Sequence, residues 1–469
     1  MPKHSRRRVL APKRGQIEKS GLAQATDPPR PLGTQTPDQQ PGRLGSGFGG
    51  RFSALIKDLG PGLITGASDD DPSGISTYSM AGASFGYSLL WTALFSFPLM
   101  TAVQLMCARL GTVKGKGLAA IVREHYPGWV LWGTCGLLLF ANLVNASADL
   151  AGMADATQLA TGTRAIFWTP IYTGAITALL FWSSYRSISN IFRWLTLVLF
   201  AYVVTAFLAG FDWRAALLGT LVPHLSLSRD SIAMFVGIMG TTISPYLFFW
   251  QTAQEVEEKD AGENGGSRRT GSTGTKLKKA RWDVFIGMLL SNAIMYFIML
   301  TTGATLHAHG KTQIITARQA AEALRPLAGG GAYWLFTLGI IGTGMLGVPA
   351  LIGSAAYAVA EAAHWRGSLA EAPRRAWQFY TVIGLSMAAA LALNYAGIGA
   401  IKMLFLAAVI NGVLAPPLVL LVIPLSSSPQ VMGQRANPPL LRYLGWITFA
   451  VMSMAALALL WQTLSRRTA

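Results

Sequence analysis

Charged side chains are scarce in this chain, 13% of 469 residues, where a soluble domain carries about 25%. With 52% hydrophobic residues and a mean hydropathy of +0.40, that shortage excludes an ordinary water-soluble fold and makes the lipid bilayer the expected solvent. Acidic residues are the scarcer kind, 21 against 38 lysines and arginines, giving a formal charge of +17. The basic residues do not form one patch. They lie in the first fifty residues and in gaps between apolar runs, as in the cytoplasmic loops of membrane proteins, so no nucleic-acid partner is expected. The only two cysteines, Cys107 and Cys135, sit in separate apolar stretches, which leaves no disulfide framework and no CxxC metal site. Residues 1–50 contain no apolar stretch resembling a cleavable signal; rich in Pro, Gly and basic residues, they are expected to form a disordered cytoplasmic tail.

Long apolar runs are abundant. About 20 residues span the hydrocarbon core, and that window marks eleven segments near 54–82, 87–108, 129–158, 166–184, 188–210, 230–254, 282–303, 331–361, 374–395, 399–425 and 440–462. The runs are too long and too continuously apolar for barrel strands, so an all-α membrane protein is expected. Trp129 and Trp168, near span ends, suit interfacial anchors. With the tail inside, the cytoplasmic gaps hold Lys114, Lys116, Arg123, Arg186, Lys276, Lys278, Lys279, Arg281, Arg366, Arg374, Arg375 and Arg435. The opposite gaps hold Arg164, Arg214, Arg229, Lys311, Arg318 and Arg325. This asymmetry predicts a cytoplasmic N-terminus and an outer C-terminus in a multi-pass protein of the cell membrane. The stretch 259–280 is expected to be a flexible cytoplasmic loop, and His307 and His309 to be ordinary residues of an outer loop.

Two spans are interrupted. In the first, Asp69, Asp70 and Asp71 precede Pro72, Ser73 and Gly74. A carboxylate near the bilayer centre costs about 2.5–3.5 kcal/mol on insertion scales and must face protein or water. Proline and glycine break the helix there, which frees carbonyl oxygens beside the acid, as a partly dehydrated cation requires. Asp71 is the expected ligand, while at least one of Asp69 and Asp70 is expected to cap a helix at the membrane edge. In the sixth span Gly240, Thr241, Thr242, Ser244 and Pro245 interrupt another apolar run. Breaks in the first and sixth spans, five apart, are the pattern of two inverted five-helix repeats with a binding site where the broken helices meet. Residues 51–464 would then form the transporter domain, with repeat one at about 54–210, repeat two at about 230–425 and an eleventh helix at about 440–462.

The runs GPGLITGASDDDP and LLWTALFSFPLMTAVQLMCARLGTVKGKGLA resemble the NRAMP divalent-metal transporters, and the likeness extends over roughly 52–462. The resemblance implies a LeuT-type bundle that moves a divalent cation by alternating access, with no cofactor and no enzymatic activity. In that family a DPGN motif supplies an Asp and an Asn to the metal; the matching run here is Asp71-Pro72-Ser73-Gly74, which keeps the Asp and has glycine at the Asn position. The family's A-x-x-M-P-H corresponds to Thr241-Thr242-Ile243-Ser244-Pro245-Tyr246, so serine replaces the methionine ligand and tyrosine the histidine. A thioether favours softer transition metals, whereas oxygen donors suit Mg²⁺, Ca²⁺ and Mn²⁺. These departures resemble the NRAMP-related magnesium-transporter branch and imply Mg²⁺ and/or Mn²⁺ as cargo, held by Asp71 with Thr241 and Ser244 assisting directly or through water. Asp70, Pro72, Ser73, Gly74, Gly240, Thr242, Pro245 and Tyr246 would line the site or form the breaks, and Asn411 on the tenth span would approach it or bond between helices. Of the family's proton path, Asp149 matches the third-helix aspartate, Gly152 stands at the next acidic position, and Asp155 compensates or lies at the outer edge. Weak or absent proton coupling is expected; the alternative is a proton-coupled Mn²⁺/Fe²⁺ symporter. A carrier of a small organic substrate is disfavoured because Asp71 would repel a carboxylate. An intramembrane aspartic protease needs two carboxylates sharing a proton, and no second motif accompanies Asp71; a channel would show non-saturable flux. Glu255, Glu257 and Glu258 are expected to be a solvated helix end, and Gly342, Gly344 and Gly347 to serve helix packing.

Overall fold

The computed structural model describes residues 65, 66, 68–182, 197–264 and 273–465, and the segments assigned above to 1–50, to the start of the first span, to Arg186 and to the centre of the 259–280 loop lie outside them. The described residues are helical with short connections and no strand. Helical residues 65–66 and 68–69 lead through a bend at Asp70 into α1 (Pro72–Phe85). Then come α2 (Trp91–Lys114), the short α3 (Leu118–His125), α4 (Gly128–Thr161), α5 (Ala165–Trp182), α6 (Phe200–Ala209) and the short α7 (Trp213–Leu221). The second half holds α8 (Arg229–Thr242), α9 (Pro245–Asn264) and α10 (Thr273–Thr305). The short α11 (Ala317–Glu322) and α12 (Arg325–Ala328) lead into α13 (Ala332–Ala362). Last are α14 (Trp377–Asn394), α15 (Ala400–Ser427), the single turn α16 (Pro429–Met432) and α17 (Pro439–Ser465).

Eight of the described stretches are long and apolar enough to cross a membrane. The first and fifth expected spans begin outside the described residues, and the ninth is covered by α14, which carries Gln378, Tyr380 and Asn394. Helices satisfy their own backbone groups, the condition for lying in lipid. The broken sixth span is the centre of the bundle: 94% of its apolar stretch is buried, against 22% for α5 at the rim. Small residues set the spacing around it. A Cβ on Gly66 would fall 2.4 Å from the carbonyl oxygen of Gly287 on α10, and one on Gly240 would fall 2.2 Å from that of Ala408 on α15. Both cysteines are buried free thiols, and Trp129 is exposed at its span end.

The acidic end of α9 differs from the solvated tip the sequence suggested. Glu255 is buried, taking hydrogen bonds from Gln251 Nε2 (2.9 Å) and Thr112 Oγ1 (3.1 Å). Glu257 accepts from the Tyr357 hydroxyl, from Ser368 Oγ (2.7 Å) and from the Leu369 amide (3.1 Å), and Glu258 pairs with Lys279 at 2.9 Å. A carboxylate in apolar surroundings must be hydrogen-bonded, so these acids tie α9 to α2, α10 and the segment after α13. His307 and His309 turn Nδ1 to the carbonyls of Ala83 (2.8 Å) and Thr305 (2.6 Å), which places both as loop-anchoring residues.

Candidate metal site at the two helix breaks

Asp71 is the N-cap of α1. Its backbone is extended (ψ 170°), and Pro72 occupies the first helical position, where the missing N–H would have been unpaired anyway. Its Oδ1 accepts from the Gly74 amide at 2.8 Å and from Ser73 Oγ at 2.6 Å, so two of the expected break residues hold the carboxylate in place. Oδ2 accepts from Asn145 Nδ2 on α4 at 3.0 Å. The carboxylate is buried, and no lysine or arginine is paired with it among the described residues.

The second break is built from hydroxyls. In an unbroken helix the Thr241 carbonyl would take the amide of residue 245, but Pro245 has none. Ser244 Oγ takes that place, donating to Thr241 O at 2.7 Å and Gly240 O at 3.0 Å. Its hydrogen is therefore spent on the end of α8, and only lone pairs remain for any other partner. Thr241 Oγ1 is buried and has no hydrogen-bond partner among the described residues.

The two breaks meet. A Cβ on Gly74 would lie 3.1 Å from Thr241 Oγ1, 3.4 Å from the Tyr78 ring and 3.5 Å from the Asp69 carbonyl oxygen, so glycine at this position lets the two breaks approach closely. Tyr78 and Thr242 share a hydrogen bond of 3.1 Å between α1 and α8. Tyr246 donates to the Ser68 carbonyl at 2.7 Å, and Thr65 Oγ1 to Gln251 Oε1 at 2.6 Å, linking α9 to the first half of the broken helix.

The remaining candidates divide. Asp149, on α4, is buried and faces the Ser73 backbone amide at the start of α1. A Cβ on Gly347 of α13 would come within 2.9 Å of Asp71 Cβ and 3.7 Å of Asp149 Oδ2, so this glycine lets α13 close over both acids. Asp155 is half-buried and faces the Ala317 amide of α11, well along α4 from Asp71. Asn411 is buried on α15 with Nδ2 unpartnered among the described residues, next to Gly412, whose backbone abuts Gly240. Asp69 and Asp70 are not caps at a membrane edge. Both are buried and share Ser291 Oγ of α10, at 2.7 and 3.2 Å, whereas Asp71 beyond the bend turns to Asn145. Sequence reasoning passed over Ser291 and Asn145. The signal for Asn145 was there: Asn142, Asn145 and Asp149 recur at helical spacing along one face of an apolar span.

Two discontinuous helices meeting around a buried carboxylate inside a bundle of long apolar helices form the architecture of a membrane transporter. The comparisons agree. Residues 62–462 match the family described as natural resistance-associated macrophage protein-like, Nramp, and the chain belongs to that family. A divalent metal cation transporter MntH of Klebsiella pneumoniae is 26% identical over 400 residues, covering 84% of this chain and 91% of its own. One from Yersinia enterocolitica is 29% identical over 294 residues, 61% of this chain and 68% of its own. The fold is shared with the crystal structure of an Eremococcus coleocola manganese transporter (TM-score 0.69, 19% identity, 88% of both chains).

Proposed function

We propose that this protein carries a hard divalent cation, Mg²⁺ and/or Mn²⁺, across the membrane by alternating access around the two breaks, with weak or absent proton coupling. The observation that carries this reading is the oxygen donor set where the breaks meet: the Asp71 carboxylate, Thr241 Oγ1 and the Asp69 carbonyl around Gly74. At the positions where relatives of the resembled family place a thioether and an imidazole, Ser244 supplies a hydroxyl and Tyr246 a phenol bonded to Ser68. Oxygen donors suit Mg²⁺ and Mn²⁺, and glycine at position 74 keeps the Thr241 hydroxyl and the Asp69 carbonyl close to the Asp71 cap. The relatives named as divalent metal cation transporters support the cargo class. In this reading repeat one runs over about 54–210 and repeat two over about 230–425, with the N-terminus in the cytoplasm and the C-terminus outside.

One observation favours a second reading, a proton-coupled Mn²⁺/Fe²⁺ symporter: Asp149 is a second buried carboxylate, beside Asp71 across Gly347, and is the candidate proton carrier. Proteoliposomes holding the purified protein and a trapped pH dye separate the two. Saturable Mg²⁺ and Mn²⁺ entry without acidification supports the uncoupled carrier; entry of transition metals alone, with protons, establishes the symporter.

A further inference from the structure

We propose that Asn145 is a ligand of the transported cation, supplying from α4 the amide oxygen that the first helix lacks at Gly74; this rests on the reading of Asp71 as the central ligand. Asn145 is fully buried, and its Nδ2 donates to Asp71 Oδ2 at 3.0 Å. Its Oδ1 has no hydrogen-bond partner among the described residues. A buried amide oxygen without a donor is costly, and such groups call for a specific explanation. Here the oxygen sits on the same planar group that already touches the carboxylate proposed to bind the ion. A carboxamide oxygen is a hard ligand of the kind that Ca²⁺ and Mg²⁺ accept.

The arrangement suits both states of the carrier. With no cation, the amide N–H steadies the Asp71 carboxylate. When a cation takes Oδ2, the N–H faces a positive charge and repels it. Half a turn of the amide about its last torsion then exchanges nitrogen for oxygen without changing the shape of the group, because the two atoms are nearly the same size. Oδ1 gains the partner it lacked, and the hydrogen bond given up is replaced by the ion.

The test is isothermal titration of the purified full chain with MgCl₂ and MnCl₂ separately, alongside proteoliposome uptake. Asn145→Ala is expected to weaken binding of both ions tenfold or more. Asn145→Asp, which keeps an oxygen and loses the donor, is expected to bind at least as tightly as the parent. Gly74→Asn placed in the Asn145→Ala background is expected to recover most of the loss, since it returns an amide to the other side of the same space. Equal weakening by Asn145→Ala and Asn145→Asp with no recovery by Gly74→Asn would show that Asn145 only holds Asp71 in place, and the proposal falls. Asp71→Ala runs beside them: if it still binds both ions, the reading beneath fails, whatever Asn145 does. Should Asn145→Ala not elute as a folded species, the near-isosteric Asn145→Asp decides alone, with weakening against the proposal and retained affinity for it.

Discussion

The two helix breaks are made by opposite means. At the first, a carboxyl group ends one helical segment and starts the next: Asp71 caps α1 through Gly74 and Ser73 with one oxygen and meets Asn145 with the other. At the second, a hydroxyl repairs what Pro245 removes, as Ser244 caps the carbonyls of Gly240 and Thr241, and no charge is present. Proline begins the following helix at both breaks, where its own missing N–H costs nothing. At the second it denies an amide to the turn before it. The lesson is that the break and the charge are separable. A chain can carry a discontinuous helix without an ionisable group, so the acid at the first break asks for an explanation that helix geometry does not give, and the proposed cation is that explanation.

That contrast predicts unequal sensitivity. Asp71→Ala should bring Mg²⁺ and Mn²⁺ uptake down to that of protein-free liposomes, while Ser244→Ala should leave measurable saturable uptake, because the serine supports a backbone turn. Comparable silence of both variants in the same flux assay would erase the distinction. The next effect in size is on packing. Gly240→Leu places carbon atoms where the backbone of Ala408 and Gly412 already stands, with a Cβ alone only 2.2 Å from each. Overpacking of this kind costs about 1–3 kcal/mol or more, so the detergent-solubilised protein should melt at a clearly lower temperature than the parent. The corresponding change at the first break, Gly74→Ala, meets Thr241 Oγ1 at 3.1 Å and should lower it little.

Much of this comparison was legible in the sequence. Both breaks stand out because Asp, Pro and Gly interrupt runs otherwise fit for lipid, and the five-span separation implied that they meet. The Tyr78–Thr242 and Tyr246–Ser68 contacts bear that meeting out. What was hidden is direction. Asp69, Asp70 and Asp71 are adjacent in the chain, but a bend sends the first two to Ser291 and the third to Asn145. Composition cannot say which way consecutive side chains turn through an irregular segment. Glu255 and Glu257 misled for a related reason: hydropathy marks a span end as wet, whereas neighbours such as Thr112, Tyr357 and Ser368 decide whether it is. Asn145 was passed over because its signal is a stripe, Asn142, Asn145 and Asp149 on one helical face, and not a motif of neighbouring residues.

A softer change sharpens the comparison in the direction of selectivity. Ser244→Met puts a thioether at the second break and removes the hydroxyl cap, and soft ligands favour transition metals over Mg²⁺. In competition assays the ratio of Mn²⁺ or Cd²⁺ uptake to Mg²⁺ uptake should rise; an unchanged ratio would mean that the side chain at this position does not face the ion.

The smallest expected effect concerns the bond that joins the breaks. The Tyr78 hydroxyl and Thr242 Oγ1 lie 3.1 Å apart, both buried, and Thr242 also donates towards Met295 Sδ at 3.5 Å. Thr242→Val keeps the shape and removes the hydroxyl. Interhelical hydrogen bonds of this sort average about 0.6 kcal/mol and rarely exceed about 1.7 kcal/mol, so stability should change only slightly. The kinetic consequence is more informative. If α1 and α8 move as one unit while α9 and the helical residues 65, 66, 68 and 69 move as another, the bond lies within a unit, and Thr242→Val should leave the maximal rate of uptake nearly unchanged. Tyr246→Phe removes the 2.7 Å bond to Ser68 that joins α9 to the first half of the broken helix, and under the same partition it too should spare the rate. A large rate change from either variant, with binding affinity retained, would place the moving boundary between the paired segments and make the contact between the two breaks part of the gate.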